Sequence, residues 1–119
     1  MQKEQYMVHL LVVAPSPTVR NSLRFALEAE GYDVTAAASM RDVDQPASSF
    51  DCTVLDHHAL DDAGSESRRI LTEFEPVVFL ANSMAHPMAP LSFRTLTKPT
   101  LGPALSDAVR SAIAARTAT

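Results

Sequence analysis

The sequence has no tryptophan, only three glycines and a single cysteine. The last two scarcities each bound the function. With so little glycine there is no Gly-rich phosphate loop and no dinucleotide fingerprint. One cysteine cannot close an internal disulfide, so a reducing compartment, the cytoplasm, is expected. Basic residues are scattered: only Arg68-Arg69 are adjacent, and the formal net charge is −4. A nucleic-acid surface would need clustered Lys and Arg, so none is expected. The opening Met-Gln-Lys-Glu-Gln-Tyr lacks an apolar signal region. No run approaches the length of a membrane span. Beyond the small polar Thr117-Ala118-Thr119 end there is no low-complexity segment, and no internal repeat.

What remains is one domain of 119 residues, 46% hydrophobic and 20% charged, large enough for one core. The segment Phe50-Asp51-Cys52-Thr53-Val54-Leu55-Asp56 organises it. Its apolar and β-branched residues read as a buried strand that stops abruptly at Asp56, before His57-His58. In an open parallel sheet, chemistry collects at the carboxyl ends of the strands. Asp56 is therefore a candidate nucleophile or ligand; alternatively it simply caps the turn. Cys52, inside the strand, reads as a small hydrophobe.

Around this segment, strands and helices alternate. Val8–Val13 is an apolar run of the kind covered on both faces, with His9 at the sheet edge or partly buried. Ser16-Pro17 reads as an N-cap and a first-turn proline. Val19, Leu23, Ala26 and Leu27 give the helix that follows one apolar stripe, and Gly31 ends it. Tyr32–Ala36 is a second strand. A helix is expected over Ser39–Val43, with Pro46 beyond its end. A third helix is expected to start at Asp61-Asp62, with Ala63, Ser67, Ile70, Leu71 and Phe74 inward and Gly64 weakening its start. Pro76–Ala81 and Phe93–Thr97 are further strands. Between them, Asn82–Ser92 holds Pro87 and Pro90 and reads as a loop or single turn. Pro103 opens a last helix with Leu105, Ala108, Val109, Ala112 and Ile113 on one face. The order implies a doubly wound parallel sheet with helices on both faces. It brings together the strand ends that carry Ala14-Pro15, Asp56, Ala81 and Lys98.

Taken together, LLVVAPSPTVRNSL, Gly31-Tyr32, FDCTVLD, PVVFLA and Lys98-Pro99 make the chain, from about residue 8 to 115, resemble the receiver domains of two-component response regulators. The resemblance implies a flavodoxin-like, five-stranded (βα)5 fold with the fourth helix shortened or missing. It makes Asp56 the position phosphorylated by a histidine kinase, and Lys98 the lysine that contacts the phosphoryl oxygens. It also exposes departures. The acidic pair that holds Mg²⁺ in the family falls on Ala14 and Pro15, which offer no side-chain ligand to a hard cation. The switch hydroxyl falls on Ala81 and the switch aromatic on Thr95. Asn82 or Ser83 could replace the hydroxyl only with an altered loop.

The expectation is an atypical, cytoplasmic receiver that works by protein–protein contact, with Asp56 neutralised by Lys98 and no cofactor. A working phosphoacceptor, requiring Mg²⁺, is the first alternative. A metal-binding domain built on His57, His58, Asp61, Asp62 and His86 is the second, although neighbouring histidines usually point opposite ways. No Ser–His–Asp or Cys–His arrangement suggests an enzyme. The partner would be a histidine kinase, a phosphotransfer domain or an output protein. In the family the first helix commonly meets the kinase; here Arg20, Arg24 and Glu28 form its outer face. The last strand and helix leave a homodimer open.

Overall fold

A computed structural model describes residues 7–98 and 103–117; the Met1–Tyr6 opening, Pro99 and the Ala118-Thr119 end lie outside them. Five strands form one sheet: β1 (His9–Val13), β2 (Asp33–Ala37), β3 (Cys52–Asp56), β4 (Val77–Ala81) and β5 (Arg94–Thr97). Their order is β2-β1-β3-β4-β5, and every neighbouring pair is parallel. The three central strands are the apolar runs of the sequence. β3 and β4 are buried along their whole length, as strands covered on both faces must be.

Side chains alternate between two cores because the strand period is two. On one face Leu10, Val12, Cys52, Val54, Val78 and Leu80 pack against α1 (Pro17–Ala29) and α4 (Ala104–Thr117). On the other, Leu11, Val13, Leu55, Val77 and Phe79 pack against α2 (His57–Ala63) and α3 (Ser67–Glu73). α1 begins as read: Ser16 is the N-cap, its hydroxyl oxygen accepts the Val19 amide at 3.4 Å, and Pro17 opens the first turn. Gly31 follows its end at φ +97°, a conformation glycine tolerates best. Leu23 and Leu27 are buried, but Ala26 is exposed and lies off the stripe.

Two helix expectations are corrected. Ser39–Val43 forms no α-helix; a single 3-10 turn spans Met40–Asp42, and a second spans Ala47–Ser49. The Ser39 hydroxyl bonds the Asp42 carboxylate at 3.1 Å and caps no backbone amide. Only a few residues separate it from Pro46, which disfavours helical backbone just before it. Met40 and Val43 still reach the second core, so their apolar side chains serve a turn as well as a helix. The third helix starts earlier than Asp61, directly after Asp56, and breaks at Gly64 (φ +59°, ψ −121°) before resuming at Ser67. The segment after β4 behaves as expected, with one 3-10 turn over Ala89–Leu91.

Candidate functional site

All five strands point the same way, so Ala14, Asp56, Ala81 and Lys98 gather at one edge of the sheet. β3 delivers Asp56 in register with Leu80. Lys98 follows β5, and its amide donates to the Ala81 carbonyl at 2.9 Å, which fixes the base of its side chain. The Lys98 ammonium donates to Asp56 Oδ2 at 2.8 Å, joining positions 42 residues apart. The other carboxylate oxygen is also engaged. Asp56 Oδ1 accepts the His58 amide at 2.8 Å, and His58 Nδ1 lies 3.1 Å from it. The capping reading of Asp56 holds in the geometry, since it is the N-cap of α2, and the same side chain is the centre of a strand-end ion pair.

The Asp56 side chain is only 3% exposed, against 20% for Lys98. Burial pushes its carboxyl up, but hydrogen bonds from the Lys98 ammonium and the His58 amide more than offset that and hold it below its ordinary value. The carboxylate is thus ionised, buried and matched by an adjacent cation.

Arg20 supplies a contact that sequence reasoning missed. It is half-buried and turned toward the strand end, where its Nη1 donates to the carbonyls of Ala14 (2.9 Å) and Pro15 (3.2 Å). Backbone carbonyl acceptors carry no residue signature, so nothing in the sequence marks this pairing. Glu28 is exposed as expected, while Arg24 lies over the Phe25 ring at 5.2 Å. Ala81 is buried. Thr95 is buried too, and its hydroxyl pairs with that of Ser92 at 2.9 Å. Ser83 Oγ accepts the Ala85 amide at 3.0 Å and so closes its own turn.

The histidines also differ from expectation. His57 and His58 do not diverge: their rings lie 4.1 Å apart, tilted by 34°. His57 is buried, and its Nδ1 lies 3.1 Å from Asp61 Oδ2 one helical turn later. His86, from the segment after β4, places Nε2 3.2 Å from Asp61 Oδ1. These two contacts hold Asp61 below its ordinary pKa, overcoming the upward push of burial. Asp62 stands apart from both groups of convergent His and Asp side chains found among the described residues.

No protein-family model matches the sequence, and no curated protein matches it. Solved structures do. The chain is similar to a response regulator receiver domain protein from Clostridium thermocellum (24% identity, TM-score 0.73, covering 93% of this chain and 98% of that one). It is also similar to the signal receiver domain of an HD domain-containing protein from Pseudomonas fluorescens (17% identity, TM-score 0.76, covering 96% and 100%). A third similar structure is a chemotaxis protein from Vibrio cholerae (18% identity, TM-score 0.65, covering 90% and 99%). At these identities the likeness speaks to architecture, and with the sheet order and two-faced core above it, the chain has the flavodoxin-like fold of the response regulator receiver domains.

Proposed function

We propose that the chain is an atypical receiver domain that acts by protein–protein contact, without a Mg²⁺-dependent phosphorylation switch and without enzymatic activity of its own. One observation carries the reading: both oxygens of Asp56 are already engaged, Oδ2 by Lys98 and Oδ1 by the His58 amide. A phosphoacceptor that depends on magnesium needs oxygen ligands beside the aspartate. At the end of β1, Ala14 and Pro15 offer only carbonyls, and the Arg20 guanidinium already donates to both. A fixed cation at that place repels a second one. The residues do not fit a magnesium ion.

Surface apolar side chains support a partner. Phe25 on α1, and Met84, Leu91 and Phe93 around the segment that lacks a helix, are large and exposed. A signalling protein is the partner class that the fold suggests, whether a histidine kinase, a phosphotransfer domain or an output protein.

The alternative is a working phosphoacceptor, in which Asp56 receives the phosphoryl group and Lys98 contacts it. The 2.8 Å Asp56–Lys98 pair supports that reading as well. Amide-resolved NMR with millimolar Mg²⁺ and beryllofluoride, a mimic of aspartyl phosphate, separates the two. The proposal expects a flat response and no mass increase with a small phosphodonor. Saturable shifts centred on Asp56, Ala81 and Lys98, or stoichiometric phosphorylation of Asp56, would reverse it.

A further inference from the structure

His57, Asp61 and His86 form a second cluster beside the Asp56–Lys98 pair, with only His57 shared with the side chains that converge on Asp56. Asp61 stands between two imidazoles from different segments, with His57 Nδ1 at 3.1 Å from one oxygen and His86 Nε2 at 3.2 Å from the other. All three ligand atoms lie within 4.8 Å of one another. Ligands about 2.0–2.1 Å from a tetrahedral zinc ion stand about 3.3 Å apart; the two His–Asp61 spacings have that length but run to different carboxylate oxygens, so closing the site on one oxygen takes a turn of the exposed Asp61 carboxylate. The imidazoles are sheltered, at 9% and 17% side-chain exposure, and the Asp61 side chain is 51% exposed. Solvent can therefore reach a fourth position. The Phe79 ring meets the His86 ring edge-on at 4.9 Å and walls the inner side.

We infer that His57, Asp61 and His86 bind one divalent ion of the zinc type through His57 Nδ1, an Asp61 oxygen and His86 Nε2. Two neutral imidazoles and one carboxylate suit zinc and its neighbours, whereas magnesium prefers oxygen throughout. Asp56, His57 and His58 also converge. That set is the poorer one, because the Lys98 ammonium already sits on Asp56 and would repel a dication.

Binding has a consequence for the protons. The Met88 amide donates to His86 Nδ1 at 3.1 Å, so a neutral His86 carries its proton on Nε2, facing Asp61. A metal on Nε2 needs that lone pair, and the ring proton must then sit on Nδ1. The Met88 amide has to release it. His57 likewise moves its proton to Nε2, a buried atom with no hydrogen-bond partner among the described residues. Metal binding is thereby coupled to the conformation of the segment between β4 and β5.

The test is a zinc titration of the full chain, followed by calorimetry and by the amide and histidine-ring signals. One zinc per chain is expected, with the Met88 amide among the signals that move. His86→Gln and Asp61→Asn should each weaken binding by about tenfold or more, while His58→Ala leaves it unchanged. Both weakened variants alter exposed or half-buried side chains, and melts without zinc check that they remain folded. No heat and no shifts at hundred-micromolar zinc would overturn the inference. So would wild-type affinity in both His86→Gln and Asp61→Asn, or loss of binding in His58→Ala.

Discussion

Asp56 and Lys98 form one ion pair, yet the two ends are not equivalent. Asp56 is nearly inaccessible, whereas Lys98 keeps a route to water. Removing the cation strands a buried carboxylate, and Lys98→Met should cost about 3 kcal/mol at neutral pH. Asp56→Asn leaves an ammonium that can turn to solvent and an amide oxygen that can still cap α2. Its cost should be nearer 1 kcal/mol. The pH dependence follows from the same geometry. Asp56 is depressed in the folded state, so its contribution is present above the unfolded carboxyl's pKa, about 3.9, and is lost as pH falls through the folded value. Without Lys98, two of the effects that hold Asp56 down are gone and its folded pKa rises above that of the wild type, so the penalty grows with rising pH and fades in acid. Urea unfolding of both proteins across an acid series should show the gap narrowing toward low pH. A constant gap would mean that the two groups do not interact. Asp56 and Lys98 were legible because strand ends and a family likeness both marked them. Arg20 and the Asp61–His86 contact were not: one uses backbone acceptors and the other spans 25 residues.

At the scale of elements, the sequence marked strands far better than helices. Central strands are continuous apolar runs, and nothing else of that length in this chain imitates them. Helix extent was harder, because a few apolar anchors fit an α-helix or a 3-10 turn equally well. Met40 and Val43 are such anchors. Proline at 87 and 90 was the clearer signal, and the segment after β4 duly carries only a turn. The missing helix after β2 leaves a groove of about 470 Å³, lined by Met40, Val43 and Pro46 on one wall and Ile70 and Phe74 on the other. Gly64 does more than weaken a helix start: it divides one helix into two. An added Cβ would meet nothing within 4 Å there, so packing does not require glycine. The backbone does, since φ +59° with ψ −121° is a combination that L-residues avoid. Gly64→Ala should therefore destabilise by about 1–3 kcal/mol through strain alone, with unchanged helix content by circular dichroism. Greater helicity with equal or higher stability would mean that α2 and α3 fuse, and that the break is dispensable.

For the whole molecule, β3 is the central strand of the sheet and, like β1 and β4, sends side chains into both cores. Cys52 and Val54 belong to one core and Leu55 to the other, so neither face can open without disturbing the strand between them. Its two ends are tied as well. Asp56 meets Lys98 at one end. At the other, Asp51 accepts the His9 amide at 2.9 Å and an Arg116 guanidinium N–H, linking β1, β3 and the end of α4. Asp51 gave no sign of this in the sequence, for Arg116 lies 65 residues away. A strand held on both faces and at both ends should open only with the entire fold. Cys52 reports on that directly. It is 1% exposed, and burial pushes its thiol up to about 12, so the native thiol is both hidden and protonated. A thiol reagent in mildly alkaline buffer should modify Cys52 only through global unfolding. In low urea, the free energy from labelling should equal that from the unfolding transition and fall with the same slope. Rapid labelling of a chain that keeps its native spectrum would instead show that β3 opens locally, and that the two cores are not one cooperative unit.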